Sequence, residues 1–527
     1  MQNGSKILRL RPSPFTAAWS LLIGLSIARV LYAGLLPLSA DEAYYWQWSR
    51  YPALGYHDHP PMVAWMIWLS TTFLGPNETA VRLPAIGALF GTSAYLLILT
   101  RRWYGEGVAL ATAILTQAVL LFNVGALITT PDSFQALAWA GACYHVARGY
   151  EGGRKRHWCL GGLWFGLGML SKLSMALFAP LVFLYGLTSP HHRRRLQGWR
   201  PYLGFCLGLT LMLPLVVWNL ENDWRAFRHV AHQGGLASAN GFVPRYFGDY
   251  LLSQLSLLSP LVFILLLGVL THTRSFWRAG RKRWMDRYLW MTSMPVFLLF
   301  ALLSLHTRVE GNWPAFGYLG ACVLMAARYR KRPVWRWTLL TAAAISFLVL
   351  IQAVFPLIPL SPKADRIAAE LSDWETVGQA VAALSEGLPE APPPFVFAMN
   401  YQMASRLAYY LPGQPLTVAI NSDKRPNTYD YWWEEDALAG RNAIGVIGHD
   451  NFHEWRLGRF FESVDPPVKV VLHDHRRSWD DSRRPVKTLY LYRACGFKGG
   501  HQWAPQSDDD IRTSTSNPNP STSPGEG

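Results

Sequence analysis

The sequence predicts a polytopic α-helical membrane protein of about eleven spans, followed by a small C-terminal α/β domain outside the cytoplasm. Three observations lead there. Charged residues make up only 16% of the 527-residue chain, against about a quarter in soluble domains, and the deficit is concentrated before residue 360. Up to that point long apolar runs alternate with short polar loops. Beyond it the composition becomes that of a soluble domain. The expected organisation is a transmembrane catalytic domain over 1–360, an α/β domain over 361–500, and a disordered tail over 501–527, where apolar residues almost vanish.

Taken in order, the apolar runs are 15–38, 80–100, 107–127, 132–148, 158–171, 173–188, 201–219, 250–270, 288–305, 313–327 and 336–357. The basic residues then set the orientation. Lys6, Arg9 and Arg11 precede the first run, and Arg101 and Arg102 follow the second. Arg154, Lys155 and Arg156 follow the fourth, "HHRRR" the sixth, "RAGRKRWMDR" the eighth and "RYRKR" the tenth. All fall on one side if every run crosses, and that side is cytoplasmic. Joining 158–171 to 173–188 would move the later basic loops outside. The two are therefore kept as a hairpin with Lys172 at its outer tip. The first run is too long for a signal-peptide core, and Leu38 is a poor residue three before a cleavage point. The net charge of +15 resides in these loops, so it does not point to nucleic acid. The cysteines (143, 159, 206, 322, 495) follow no metal or disulfide spacing and read as packing residues.

The alternate, outer loops collect the polar chemistry: Asp41, Glu42, His57, Asp58, His59, Asp132, Lys172, the segment 219–233 and "EGNWP" with Glu310 and Asn312. Charged groups near membrane depth are costly and usually functional. In "ADEAYYWQW" the aromatics suit a headgroup belt, which leaves Asp41 and Glu42 unexplained; a carboxylate there serves as a general base or holds a cation. In "HDHPPMVAW" alternate side chains of an extended segment share a face, so His57 and His59 pair while Asp58 points away. They do not complete a zinc set, and the histidines read as phosphate-facing or as supports for such groups. The prolines then open an interfacial helix over 62–69. "TTPDS" suits a helix start, with Asp132 capping or facing the site. Lys172, in "LSKLS", either snorkels or presents a cation to a phosphate. "GGLWFGLG" reads as close helix packing through Gly162 and Gly166. No phosphate-cradling glycine loop is present, which argues against an ATP-driven transporter.

Together these motifs resemble the bacterial membrane glycosyltransferases of the GT-C fold, the broad group (glycosyltransferase family 39-like) of the protein O-mannosyltransferases and the aminoarabinose and galacturonic acid transferases of lipopolysaccharide. The resemblance rests on "ADEAYYWQW", "GYHDHPPMVAW", "TPDS", "SKLS", "EGNWPAFGY", "YQMASRLAYYLP" and "RPNTYDYW", in that order along the chain. It implies a polyprenyl-phosphate sugar donor, a lipid or glycan acceptor in the cell envelope, and action on the outer face of the bacterial inner membrane. It implies Asp41 as catalytic base. Asp58 and His59 match an acidic–basic pair that is usually Glu-Lys in aminoarabinose transferases, so that sugar is not implied. No particular cofactor is implied, and a divalent cation is left open. The alternatives are a flippase or transporter of lipid-linked sugars, which would line the bundle with polar residues on both sides, or a protein O-mannosyltransferase.

Beyond residue 360, runs at 377–384, 394–399, 442–448, 468–474 and 486–492 suggest the α/β domain. Its segments "NYQMASRLAYY" and "KRPNTYDYWW" offer Tyr401, Arg425 and Tyr429 as acceptor-binding residues.

Overall fold

The computed structural model describes residues 12–234, 241–271, 283–361, 364–388, 392–420, 426–433, 435–448, 457–476 and 483–499. Arg425 and the expected disordered tail, 501–527, lie outside the described residues. The chain divides into two compact units, one formed by Met1–Ile367 with Arg476–Asp481 and the other by Ala368–His475 with Ser482–Gly527.

The first unit is helical. It opens with α1 (Pro14–Ala33), α2 (Ala40–Arg50), α3 (Met62–Leu74), α4 (Glu78–Tyr104), α5 (Glu106–Ala118), α6 (Leu120–Leu127), α7 (Pro131–Gly152), α8 (Lys155–Ser171) and α9 (Phe178–Thr188). It continues with α10 (Arg200–Leu211), α11 (Leu213–Glu221), α12 (Arg225–Gln233), α13 (Pro244–Leu258) and α14 (Pro260–Thr271). Helices Trp284–Met291, Met294–Leu303, Tyr318–Tyr329 and Pro333–Val354 follow. Each expected apolar run falls on a helix or a helix pair. Among the described residues three helices are long and apolar enough to cross a membrane, α1, α4 and Pro333–Val354, or six if each bent pair is one span. On α1 and Pro333–Val354 large apolar side chains face outward, with Leu31 73% and Phe347 67% exposed, as suits contact with lipid tails rather than water.

Two features differ from the sequence expectation. The 250–270 run is not straight: α13 and α14 meet at 111°, where Ser259 adopts φ 76° ahead of Pro260. Proline disfavours a helical residue before it, so the break is local chemistry. The stretch 40–50 is a helix, α2, not a loop. A reciprocal cap starts it: the Ser39 hydroxyl accepts from the Glu42 N–H, and Glu42 Oε2 accepts from the Ser39 N–H at 3.0 Å. Its aromatics Tyr44, Tyr45, Trp46 and Trp48 are buried rather than spread along a headgroup belt. Trp48 stacks on Tyr56 with centroids 4.4 Å apart, and the Tyr56 hydroxyl accepts from the Ala53 N–H at 3.1 Å. Trp65 Nε1 donates to the Ala53 carbonyl at 2.9 Å. These contacts fold the segment between α2 and α3 onto itself and fix its path.

Helices α8 and α10 meet through glycines. A Cβ on Gly162 would stand 1.7 Å from the Gly204 carbonyl oxygen, and one on Gly204 would stand 2.2 Å from that of Trp158. A Cβ on Gly166 would stand 2.6 Å from the Gly208 carbonyl oxygen, and one on Gly208 would stand 2.6 Å from that of Gly162. In lipid such close approach supplies much of the helix-pairing energy. Gly162→Ala and Gly204→Ala are each expected to destabilise the unit by about 1–3 kcal/mol. Thermal unfolding in detergent tests this, with Gly24→Ala as control, because a Cβ there meets nothing within 4 Å.

The second unit contains a six-stranded sheet. Its strands are β1 (Phe395–Ala398), β2 (Thr417–Ala419), β3 (Ala443–Ile447), β4 (Phe461–Val464), β5 (Val468–His473) and β6 (Pro485–Phe497). The order is β2-β1-β3-β6-β4, with β5 also paired to β6. β1 runs parallel to β2 and β3, and β6 is antiparallel to β3, β4 and β5. Phe395, Phe397, Phe461 and Phe497 centre its core. The run 377–384 lies in the helix Glu375–Ser385.

Candidate active site

Asp41 and Glu42 are neighbours in sequence with different surroundings. Glu42 is fully buried. Arg82, from α4, gives it Nε at 2.9 Å and a terminal nitrogen at 2.9 Å, and the Thr129 N–H approaches at 3.4 Å. The same guanidinium donates to the carbonyls of Ala33, Leu36 and Pro37 at 2.6–2.7 Å. Glu42 is therefore an anchor joining the end of α1, the start of α2, α4 and the turn before α7. The sequence leaves Glu42 open as a general base or cation holder; in the structure its oxygens are engaged by Arg82 and by the N–H groups of Ser39 and Thr129. Asp41, one residue earlier, is exposed.

Residues three and four apart share a helix face, so Asp41 lies on the stripe that carries Tyr44, Tyr45 and Trp48. That stripe meets the 57–59 segment. The Tyr44 hydroxyl donates to Asp58 Oδ2 at 2.6 Å, and the Tyr45 and His59 rings are 6.1 Å apart. On the other side of Asp58 stands His229 of α12, with Nε2 3.9 Å from Oδ1. His57 packs edge-on to His229 at 4.7 Å. Thus His57 converges with Asp58 and His229, not with His59 as alternation along a strand suggested. Burial opposes the charged form of Asp58, but His57, His229, the Tyr44 hydroxyl and His59 together outweigh it and hold the carboxyl below its usual range. His57, Asp58 and His229 offer ligand atoms all within 4.8 Å of one another, a nitrogen–nitrogen–oxygen set suited to a divalent transition metal.

A second cluster lies at the start of α7 and the end of α8. Lys172 ends α8 in an extended conformation, and its ammonium donates to both Asp132 oxygens, at 2.8 and 2.9 Å. Asn312 Nδ2 donates to Asp132 Oδ2 at 3.1 Å. Both charged side chains keep some solvent contact. Lys172 does not simply snorkel: it is held in place by a carboxylate. Thr129, three residues before Asp132, ties the turn ahead of α7 to the Glu42–Arg82 anchor: its N–H meets Glu42 and its hydroxyl donates to the Val81 carbonyl at 2.8 Å, beside Arg82.

Other expected residues fall elsewhere. Glu310 is exposed and pairs with Arg308 at 3.2 Å. Tyr401 begins the helix Tyr401–Tyr410, whose cap is the Asn400 side chain. Tyr429 is buried, with its hydroxyl 3.1 Å from that of Ser405, so it supports the second unit's core rather than facing an acceptor. Sequence reasoning missed Arg82 and His229. A lone arginine inside the 80–100 run was a signal for the first; for the second, only the histidines of 219–233 were.

Residues 58–218 match the family described as dolichyl-phosphate-mannose-protein mannosyltransferase. The lipid A galacturonosyltransferase RgtD of Rhizobium johnstonii is 27% identical over 389 residues, covering 70% of this chain and 77% of that one. The lipopolysaccharide core galacturonosyltransferase RgtA of the same organism is 25% identical over 312 residues, covering 56% and 60%. In fold, the chain is similar to ArnT from Cupriavidus metallidurans, with a TM-score of 0.61 over 90% of this chain and 98% of that one at 14% identity. The chain is a glycosyltransferase of the GT-C fold.

The transferase is also similar in fold to the Archaeoglobus fulgidus oligosaccharyltransferase, with a TM-score of 0.52 over 82% of this chain and 68% of that one at 12% identity. The stretch matched by the family, 58–218, holds Asp58, His59, Asp132 and Lys172, while Asp41 lies just before it.

Proposed function

We propose that the transferase moves a sugar from a polyprenyl-phosphate donor to a hydroxyl of lipid A, the lipopolysaccharide core or another envelope glycan, at the extracytoplasmic membrane face. The observation that carries this reading is the contrast between two adjacent carboxylates: Glu42 is consumed by Arg82, while Asp41 is exposed on the helix face that meets Asp58 and His59. Two relatives support it by name, both galacturonosyltransferases, one of lipid A and one of the lipopolysaccharide core. A second solved ArnT structure of similar fold has undecaprenyl phosphate bound.

The mechanism is a single inverting displacement. The acceptor oxygen attacks the anomeric carbon as the bond from that carbon to the phosphate oxygen breaks. Asp41 takes the acceptor proton, and the polyprenyl phosphate leaves with the bonding electron pair. Lys172 stabilises the charge gathering on that phosphate, and Asp132 with Asn312 fixes where the ammonium stands. A lipid donor explains why a site for sugar transfer is built among apolar helices. His57, Asp58 and His229 would hold a divalent cation, which would tie α12 to the 55–61 segment; Gly55 of that segment packs against the preceding helix α11, since a Cβ on it would meet the Trp218 ring at 2.8 Å.

The test is transfer in vitro. Purified transferase is given undecaprenyl-phosphate galacturonic acid with lipid A, lipopolysaccharide core or a serine-bearing peptide, and products are read by mass spectrometry. Sugar on lipid A or core is the expected result. Transfer to the peptide alone would overturn the acceptor, and no transfer from any polyprenyl-phosphate sugar would overturn the reaction. Metal analysis of the same preparation is expected to find about one zinc-like ion per chain, lost in His229→Ala. A metal-free active preparation would remove the cation from the proposal.

A further inference from the structure

Gln254 lies on α13, fully buried, one turn before the break at Ser259. Its amide is oriented by its partners. The hydroxyl of buried Tyr318 donates to Oε1 at 2.6 Å, which leaves Nε2 to donate elsewhere. Nε2 donates to the Gly311 carbonyl at 3.0 Å and to the neighbouring Ser253 hydroxyl at 3.1 Å. Gly311 lets the loop backbone lie directly on α13. A Cβ there would meet Leu257 Cδ1 at 2.8 Å and Ser253 Oγ at 2.9 Å. The next residue along, Asn312, donates to Asp132 Oδ2, the same oxygen that Lys172 reaches at 2.9 Å.

We infer that Gln254 is a positioning residue for the donor-phosphate cation: through Gly311 it sets Asn312 on Asp132, and through Asp132 it sets the ammonium of Lys172. The chain of contacts runs Tyr318, Gln254, Gly311, Asn312, Asp132, Lys172, and each side-chain link is a hydrogen bond between named atoms. An Asp132 carboxylate fixed by two donors keeps Lys172 at one point, as a cation aimed at a localised phosphate requires. Without Asn312 seated, the carboxylate turns freely and the ammonium follows it. That the cation serves a donor phosphate rests on the function proposed above; the positional coupling does not.

Two measurements test it on the full-length protein in nanodiscs. The first is acylation of Lys172 by an amine-reactive reagent, followed by mass spectrometry with exposed Lys331 as internal reference. Gln254→Leu is expected to change the relative rate at Lys172, Asn312→Ala to change it equally, and the double variant to add nothing further. Unchanged reactivity in Gln254→Leu, or additive effects in the double variant, would overturn the relay whether or not the protein transfers sugar. The second is steady-state transfer. Gln254→Leu is expected to raise KM for the polyprenyl donor by roughly threefold to tenfold, the range one neutral hydrogen bond supplies, with KM for the acceptor unchanged. A loss of thermal stability with both KM values intact would assign Gln254 to packing alone. Wild-type inactivity with such donors would sink the proposed function, and the acylation result would still decide the relay.

Discussion

Asp41→Asn is expected to leave membrane insertion and donor binding near wild type and to lower transfer by about 10²–10⁴-fold, the usual effect of removing a general base. Asparagine keeps the shape of the side chain but cannot take the acceptor proton. The substitution leaves the cap of α2 intact, because Ser39 and Glu42 form it, and it leaves the stripe from Tyr44 to Asp58 in place. The measurement is single-turnover transfer beside direct binding of a polyprenyl-phosphate sugar. Wild-type turnover in Asp41→Asn would show the mechanism to be wrong. Loss of donor binding together with turnover would make Asp41 a ligand of the sugar or a cation instead.

The second large effect belongs to the anchor. Arg82→Met is expected to cost about 3–5 kcal/mol of stability, because it leaves the Glu42 carboxylate buried without its cation. Glu42→Gln is expected to be comparably damaging for the opposite reason: a guanidinium stays inside without its carboxylate. The adjacent carboxylates thus divide by readout, Asp41 through rate and Glu42 through folding. Yield and thermal unfolding in detergent measure it. The double variant Arg82→Met with Glu42→Gln should recover part of the loss, since neither charge is then stranded. Glu42→Gln that folds normally but fails to transfer would return Glu42 to the reacting groups.

The helices of the first unit were legible because apolar runs of that length have few other structures open to them. The break at Ser259 was legible in principle, as Ser-Pro inside an apolar run announces it. So was α2, whose Ser39-x-x-Glu42 cap was hidden behind the expectation of a loop. The bend of 66° between α5 and α6 carries no such signal: no proline or glycine stands at Val119 or at its neighbours Ala118 and Leu120. In the site, residue types were readable but pairings were not. Lys172 and Asp132 are 40 residues apart, and Asp58 and His229 further still; no local spacing encodes a contact that only the bundle creates. Hence the histidines were paired by strand alternation, and His229, which replaces His59 in the cluster, was not singled out.

One buried residue bears on how the chain is made. Arg29, within α1, donates to Gln117 Oε1 and Asn123 Oδ1, both at 2.7 Å, beside the bend between α5 and α6. Its partners lie 88 and 94 residues downstream. At a synthesis rate of about 5–20 residues per second the first helix waits roughly 5–20 s before either amide emerges. A guanidinium at the centre of an inserting helix costs about 2.5–3.5 kcal/mol, and Arg29, nearer one end, sheds part of that by reaching toward the headgroups. The nascent chain therefore passes through a stage in which α1 is seated provisionally, with its charge turned to the interface. Only when α5 and α6 arrive does the arginine turn inward. Insertion and locking of α1 are thus separate events, and the first helix reaches its final depth only after α5 and α6 have emerged.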